Sequence, residues 1–127
     1  MIGVCLGLAG VIWAQLPEGE FTLGWQHSVE KIRWEEDYEV RGRQLLLAQA
    51  RVEGSGAGME IPAGAQFKRG RWHYSPAISL DVLRLARSPQ AGDYEICLPG
   101  GCRSLAHWLG PPNSAEPALE LWVCGLE

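Results

Sequence analysis

The segment Trp25–Val40, WQHSVEKIRWEEDYEV, gathers an imidazole, a hydroxyl and five carboxylates within sixteen residues. Two chemistries would use such a set: a nucleophile–base pair, or a divalent metal site. His27 and Ser28 are adjacent, so on a strand they point to opposite faces and cannot pair. No other His–Asp–Ser grouping stands out, and a hydrolase triad is not expected. His27 and Glu30, with Glu35 or Glu36, could ligate a divalent ion if a bulge near Lys31 drew them together. The plainer reading is a set of solvated strand carboxylates beside a satisfied edge histidine. Glu36 stands apart, because alternation puts it on the apolar face of Trp34 and Tyr38. An inward carboxylate is costly unless paired, and Arg33, Arg51 and Lys31 are candidate partners.

The second segment is RVEGSGAGMEIP, from Arg51 to Pro62. Gly54, Gly56 and Gly58 alternate with small residues directly after a strand-like run. A phosphate-binding P-loop needs Lys and a hydroxyl residue after its last glycine, at a helix start. Here Met59, Glu60, Ile61 and Pro62 follow, and Pro62 disfavours helix at Ile61. The spacing also fails the dinucleotide fingerprint, and no βαβ unit surrounds it. A turn or bulge remains, with a backbone N–H nest for an anion as the functional alternative.

The elements that must position these residues are short strands. Apolar residues repeat with period two, and Gly and Pro interrupt them too often for long helices. Phe21, Leu23 and Trp25 share a face, as do Trp34, Tyr38 and Val40, with Arg33, Glu35, Asp37 and Glu39 opposite. The same alternation sets Leu46, Ala48, Ala50 and Val52 inward, with Gln49 and Arg51 outward. Trp72 with Tyr74, Leu83 with Leu85, Tyr94 with Ile96 and Leu98, and Leu119 with Leu121 and Val123 complete the pattern. Turns are expected around Gly42 and Gly70, over Ser88–Asp93 and at Pro99–Gly101, and Ser104 can cap one helical turn. The expectation is a single all-β domain over 17–127: a small antiparallel β-barrel or sandwich of about seven or eight strands. Closure into a barrel is the economical way to avoid unpaired edges. With 127 residues the chain can bury a real core without metal. Its formal net charge of −4 argues against nucleic acid as a partner. The basic cluster Lys68–Arg71 reads as a solvated hairpin tip.

The first seventeen residues carry no charge. The apolar run is short for a bilayer span, which needs about 20 residues. It fits the core of a secretory signal, although the basic start is missing. Residues 1–16 are therefore read first as a signal-like leader, second as an uncleaved anchor and third as a buried strand. Membrane contact is expected only through this leader if uncleaved, and the location is exported, periplasmic or membrane-proximal. With the leader set aside, Cys97, Cys102 and Cys124 remain. Cys97 and Cys102 flank a four-residue turn and can face each other across a hairpin. Pairing of either with Cys124 stays open, and one thiol is left over. A zinc site has too few ligands at suitable spacing.

HSVEKIRWEEDYEV, ARVEGSGAGME, RWHY, DYEICLPGGCRSL and a cysteine near the terminus together resemble the bacterial domain-of-unknown-function family 1850 (DUF1850). The similarity runs from about Phe21 to Cys124, and its specific motifs are His27–Glu36 and Gly54–Glu60. It implies a small exported β-rich protein, in a family often linked with TRAP-type solute transporters of the TAXI class, and no established activity or cofactor. The expected ligand or partner patch comprises His27, Ser28, Glu30, Glu36, Arg51, Gly54, Ser55, Gly56, Gly58 and Glu60. A transporter subunit or a small anionic solute would dock there. The rival functions are a metal-assisted enzyme using His27 and nearby glutamates, and a structural protein burying exposed tryptophans in another chain.

Overall fold

The computed structural model describes residues 2–26, 32–53, 62–88, 92–112 and 118–125. It is built almost entirely of antiparallel strands, with one short helix. In chain order the strands are β1 (Ile2–Leu8), β2 (Val11–Leu16), β3 (Glu20–Gln26), β4 (Arg33–Arg41), β5 (Gln44–Glu53) and β6 (Gln66–Lys68). There follow β7 (Arg71–Tyr74), β8 (Ile78–Leu80), β9 (Leu83–Ala86), β10 (Glu95–Leu98), β11 (Gly101–Ser104), helix α1 (Ala106–Leu109) and β12 (Ala118–Gly125). One sheet has the order β2-β1-β12-β9, and the other runs β11-β10-β3-β4-β5-β7-β6 with β8 also on β5. Both sheets are open, so the sandwich form of the all-β expectation holds and the barrel form does not. Among the described residues no helix is long and apolar enough to cross a membrane.

The two sheets enclose one core. Val4, Leu6, Leu16, Leu83, Leu85, Leu119 and Leu121 come from the smaller sheet, and Phe21, Leu23, Tyr38, Leu45, Leu47 and Ile96 from the larger. The alternation read from β3, β9, β10 and β12 matches these inward sets. On β5 the phase differs: Leu45, Leu47, Ala50 and Val52 are buried, while Leu46 and Ala48 are half-exposed. The reason is a β-bulge. Asp37 pairs with Gln49 and Tyr38 with Leu47, which leaves Ala48 as an extra residue and flips the strand's inward phase.

Residues 2–16, read from the sequence first as a leader, form β1 and β2 here, the third of the readings considered. Val4, Cys5 and Leu6 are wholly buried, and β1 is hydrogen-bonded between β2 and β12. A charge-free apolar run suits a core strand as well as a leader, so composition alone could not separate them. The hairpin bulges at Leu6/Gly7, where a Cβ on Gly7 would stand 1.8 Å from the Val11 carbonyl oxygen. Only glycine lets the two backbones approach so closely there.

The expectation of a leftover thiol also changes. Cys5 pairs with Cys124 and Cys97 with Cys102, so no cysteine is free, and neither Cys97 nor Cys102 is available to zinc. The Lys68–Arg71 cluster is a two-residue hairpin tip, with Arg69 at φ 53° and Gly70 at φ 79°. That geometry matches the twist of the flanking strands. Near the other end of β10, Arg87 is almost fully buried and gives two bonds to Asp93 and one to the Gly110 carbonyl. Asp93 also accepts from the Ser104 hydroxyl, whose oxygen in turn receives the Ala106 N–H. Ser104 thus supports the helical turn from one position earlier than a cap, and the knot fixes the start of β10 beside Tyr94.

Candidate functional site

The two segments singled out by sequence leave the larger sheet at the same end. β3 ends at Gln26, which pairs with Arg33 at the start of β4. Beside them β5 ends at Glu53, whose carboxylate accepts the Arg33 backbone N–H at 2.8 Å. His27, Ser28, Glu30, Gly54, Ser55, Gly56, Gly58 and Glu60 lie outside the described residues. The strand ends that carry them are hydrogen-bonded neighbours.

Antiparallel register puts a row of rings across the inner face at this end. Trp25 pairs with Trp34, Trp34 with Val52, Val52 with Trp72 and Trp72 with Phe67, over β3, β4, β5, β7 and β6. Trp25 stacks on Trp34 at 6.0 Å and meets Tyr94 at 5.7 Å, while Phe67 packs edge-on to Trp72 at 5.2 Å. The indole nitrogens of Trp34 and Trp72 are buried without a hydrogen-bond partner among the described residues. A buried donor left unpaired carries a desolvation cost, so such donors mark places where an acceptor would be gained.

Glu36 lies in the next row, between Leu23 and Ala50, with Tyr74 opposite Ala50. It faces inward, as alternation required. Its partner differs from the expectation, however: Arg33 and Arg51 are engaged on the outer face, and Lys31 is outside the described residues. The Tyr38 hydroxyl donates to Glu36 at 2.8 Å instead. Burial raises the Glu36 carboxyl above its ordinary range, and the Tyr38 hydrogen bond only partly opposes this. Burial and then the nearby Glu36 charge push the phenols of Tyr38, Tyr74 and Tyr94 upward in turn. The result is an acid set among three tyrosines, with no cation paired to it among the described residues.

The outer face carries a different chemistry. Arg51 gives two bonds to Asp37, at 2.7 and 2.8 Å, and one to Glu35 at 3.1 Å. Glu35 also accepts from Arg33 at 2.9 Å and Arg71 at 2.8 Å, and Arg33 reaches on to Glu95. Thr22 donates to Asp37 at 2.6 Å. Burial alone would raise Glu35 and Asp37, but the arginine hydrogen bonds and charges outweigh it and hold both below the usual range. Arg51 is raised, chiefly by its bonds to Asp37.

Glu36 and Arg51, the two described members of the expected patch, therefore face opposite sides of the sheet. Glu36 stays with the aromatic row. Arg51 belongs to a charge network on the outer face, where its Nε, Nη1 and Nη2 are each bonded to Asp37 or Glu35. Tyr74, Tyr94 and the two indoles that lack a partner among the described residues were not foreseen beside Glu36. Their signal was present in the strand alternation, but only the pairing register reveals which rings surround Glu36. Among the described residues no group of three or more His, Cys, Asp or Glu could hold a metal ion.

Residues 21–105 match the model of the family described as domain of unknown function (DUF1850), which is more than half of the chain. The chain belongs to that family. No curated protein and no solved structure matches it.

Proposed function

We propose that this protein is a non-catalytic accessory or ligand-binding module of a TRAP solute transport system of the TAXI class, working outside the cytoplasm. The observation that carries the reading is the shared exit of the His27–Glu30 and Gly54–Glu60 segments, joined at their base by the Arg33–Glu53 bond. Two segments that define a family and spring from adjacent strand ends are well placed to act on one ligand or partner. The aromatic row beneath supports a small anionic solute, because Trp34 and Trp72 offer buried N–H donors that lack an acceptor among the described residues. Two disulfides are compatible with an oxidising compartment. The TAXI association rests on the family resemblance.

The test combines binding with stability. Tryptophan emission is followed while acetate, succinate or citrate is added, and co-elution with the transporter's membrane subunit is scored separately. The His27→Ala, Glu30→Gln and Glu60→Gln variants should lose the solute response or the co-elution while their Tm stays close to that of the parent. If all three instead lower stability by several kcal/mol, the segments are structural and the proposal fails.

A further inference from the structure

The two disulfides differ in the properties that govern thiol exchange. Cys5–Cys124 joins neighbouring strands, has Cys5 fully buried and spans a sequence separation of 119. Cys97–Cys102 bridges directly opposed residues of the β10–β11 hairpin, with a separation of only 5. β11 is the last strand of its sheet, and Cys102 is exposed. Attack on a disulfide needs access to a sulfur; Cys124 is half-buried like Cys97, and Cys102 is the one exposed cysteine of the four.

Arg33 gives this bridge a direction. Its Nη2 lies 3.9 Å from the Cys97 sulfur. A guanidinium beside a sulfur favours the thiolate, and a more stable thiolate is the better leaving group. Glu35 and Glu95 share the guanidinium and hold it in place, which also moderates its field at the sulfur. Gly24 provides the room: a Cβ there would stand 2.3 Å from Nη2. The cation lies over Gly24, the one β3 residue that carries no side chain.

We infer that Cys97–Cys102 is an exchangeable disulfide whose substrate is the thiol or dithiol of a partner reductant. The partner thiolate attacks the exposed Cys102 sulfur. The Cys97–Cys102 bond breaks, and its electron pair leaves on Cys97 as a thiolate beside Arg33. A mixed disulfide between the partner and Cys102 remains. With a dithiol partner, the second partner thiolate attacks the partner's own sulfur in that bond and expels Cys102. In sum, two electrons and two protons pass from the dithiol to the cysteine pair, and the partner leaves as a disulfide.

The experiment treats the full chain with graded dithiothreitol, quenches with iodoacetamide and maps the labelled cysteines by peptide mass. Cys97 and Cys102 should be labelled while Cys5 and Cys124 stay closed and the fold is intact. Arg33→Gln should slow the opening about fivefold, whereas Arg33→Lys should stay within about twofold of the parent. Gly24→Ala keeps the charge but displaces the guanidinium, and should slow the opening as well, which preserves the test if Arg33→Gln does not fold. Simultaneous opening of both disulfides, opening only on unfolding, or equal rates in all the variants would each overturn the inference.

Discussion

Replacing Arg51 by alanine removes the cation that Asp37 and Glu35 share. Three charge-assisted hydrogen bonds disappear, two of them the fork to Asp37. The side chains are 20% exposed for Arg51, 15% for Glu35 and 34% for Asp37, so solvent screens the pair only in part. The cost should lie between that of a surface pair and that of a buried one, about 2–3 kcal/mol at neutral pH. For a domain of this size that corresponds to a fall in Tm of about 8–11 °C. The pH dependence supplies an internal control. Asp37 and Glu35 are held below their ordinary range, so their contribution is complete above the unfolded carboxylate values and is lost as pH falls through the depressed ones. The gap between parent and variant should therefore be widest at neutral pH and close in acid. Urea unfolding followed by tryptophan emission, at neutral pH and again below the carboxylate range, measures both. A neutral-pH loss under about 1 kcal/mol, or a gap unchanged in acid, would refute the reasoning.

Two further outcomes follow from the same structure. Replacing both Cys5 and Cys124 by serine should cost about 5 kcal/mol, against about 2 kcal/mol for the Cys97 and Cys102 pair, because loop-closure entropy grows with loop length; chemical denaturation of the two double variants checks it. Glu36→Gln keeps an acceptor for the Tyr38 hydroxyl but removes a charge that burial disfavours. Because the folded-state carboxyl is raised, stability falls as pH rises from the ordinary carboxylate value through the raised one. The variant's Tm should therefore vary less with pH across that window and exceed the parent's above it.

How far the sequence reached depended on what each signal reports. Period-two alternation reports faces, so Phe21, Leu23, Leu83, Leu85, Ile96, Leu119 and Leu121 were legible as core. It cannot report a bulge, and the extra Ala48 moved the inward set of β5 from Leu46 and Ala48 to Leu45 and Leu47. Strands such as β6 and β8 span three residues each, too few for a period to register. Glu36 was legible as an inward acid because its neighbours on β4 were unambiguous. Its tyrosine surroundings were not, since Tyr74 and Tyr94 come from strands whose register depends on tertiary pairing. Cys5 was hidden for a physical reason too: a run without charge serves equally as a leader or as a buried strand, and only the pairing of β1 with β12 brings Cys5 beside Cys124.

The most direct test of the account is native mass spectrometry of the protein purified gently from its own compartment, run beside a His27→Ala/Glu60→Gln variant. A solute or transporter subunit should travel with the parent and be missing from the equally stable variant. Bare chain mass for both, with the variant unfolding far more easily, would contradict the claim that this end of the sheet is where a ligand or partner docks.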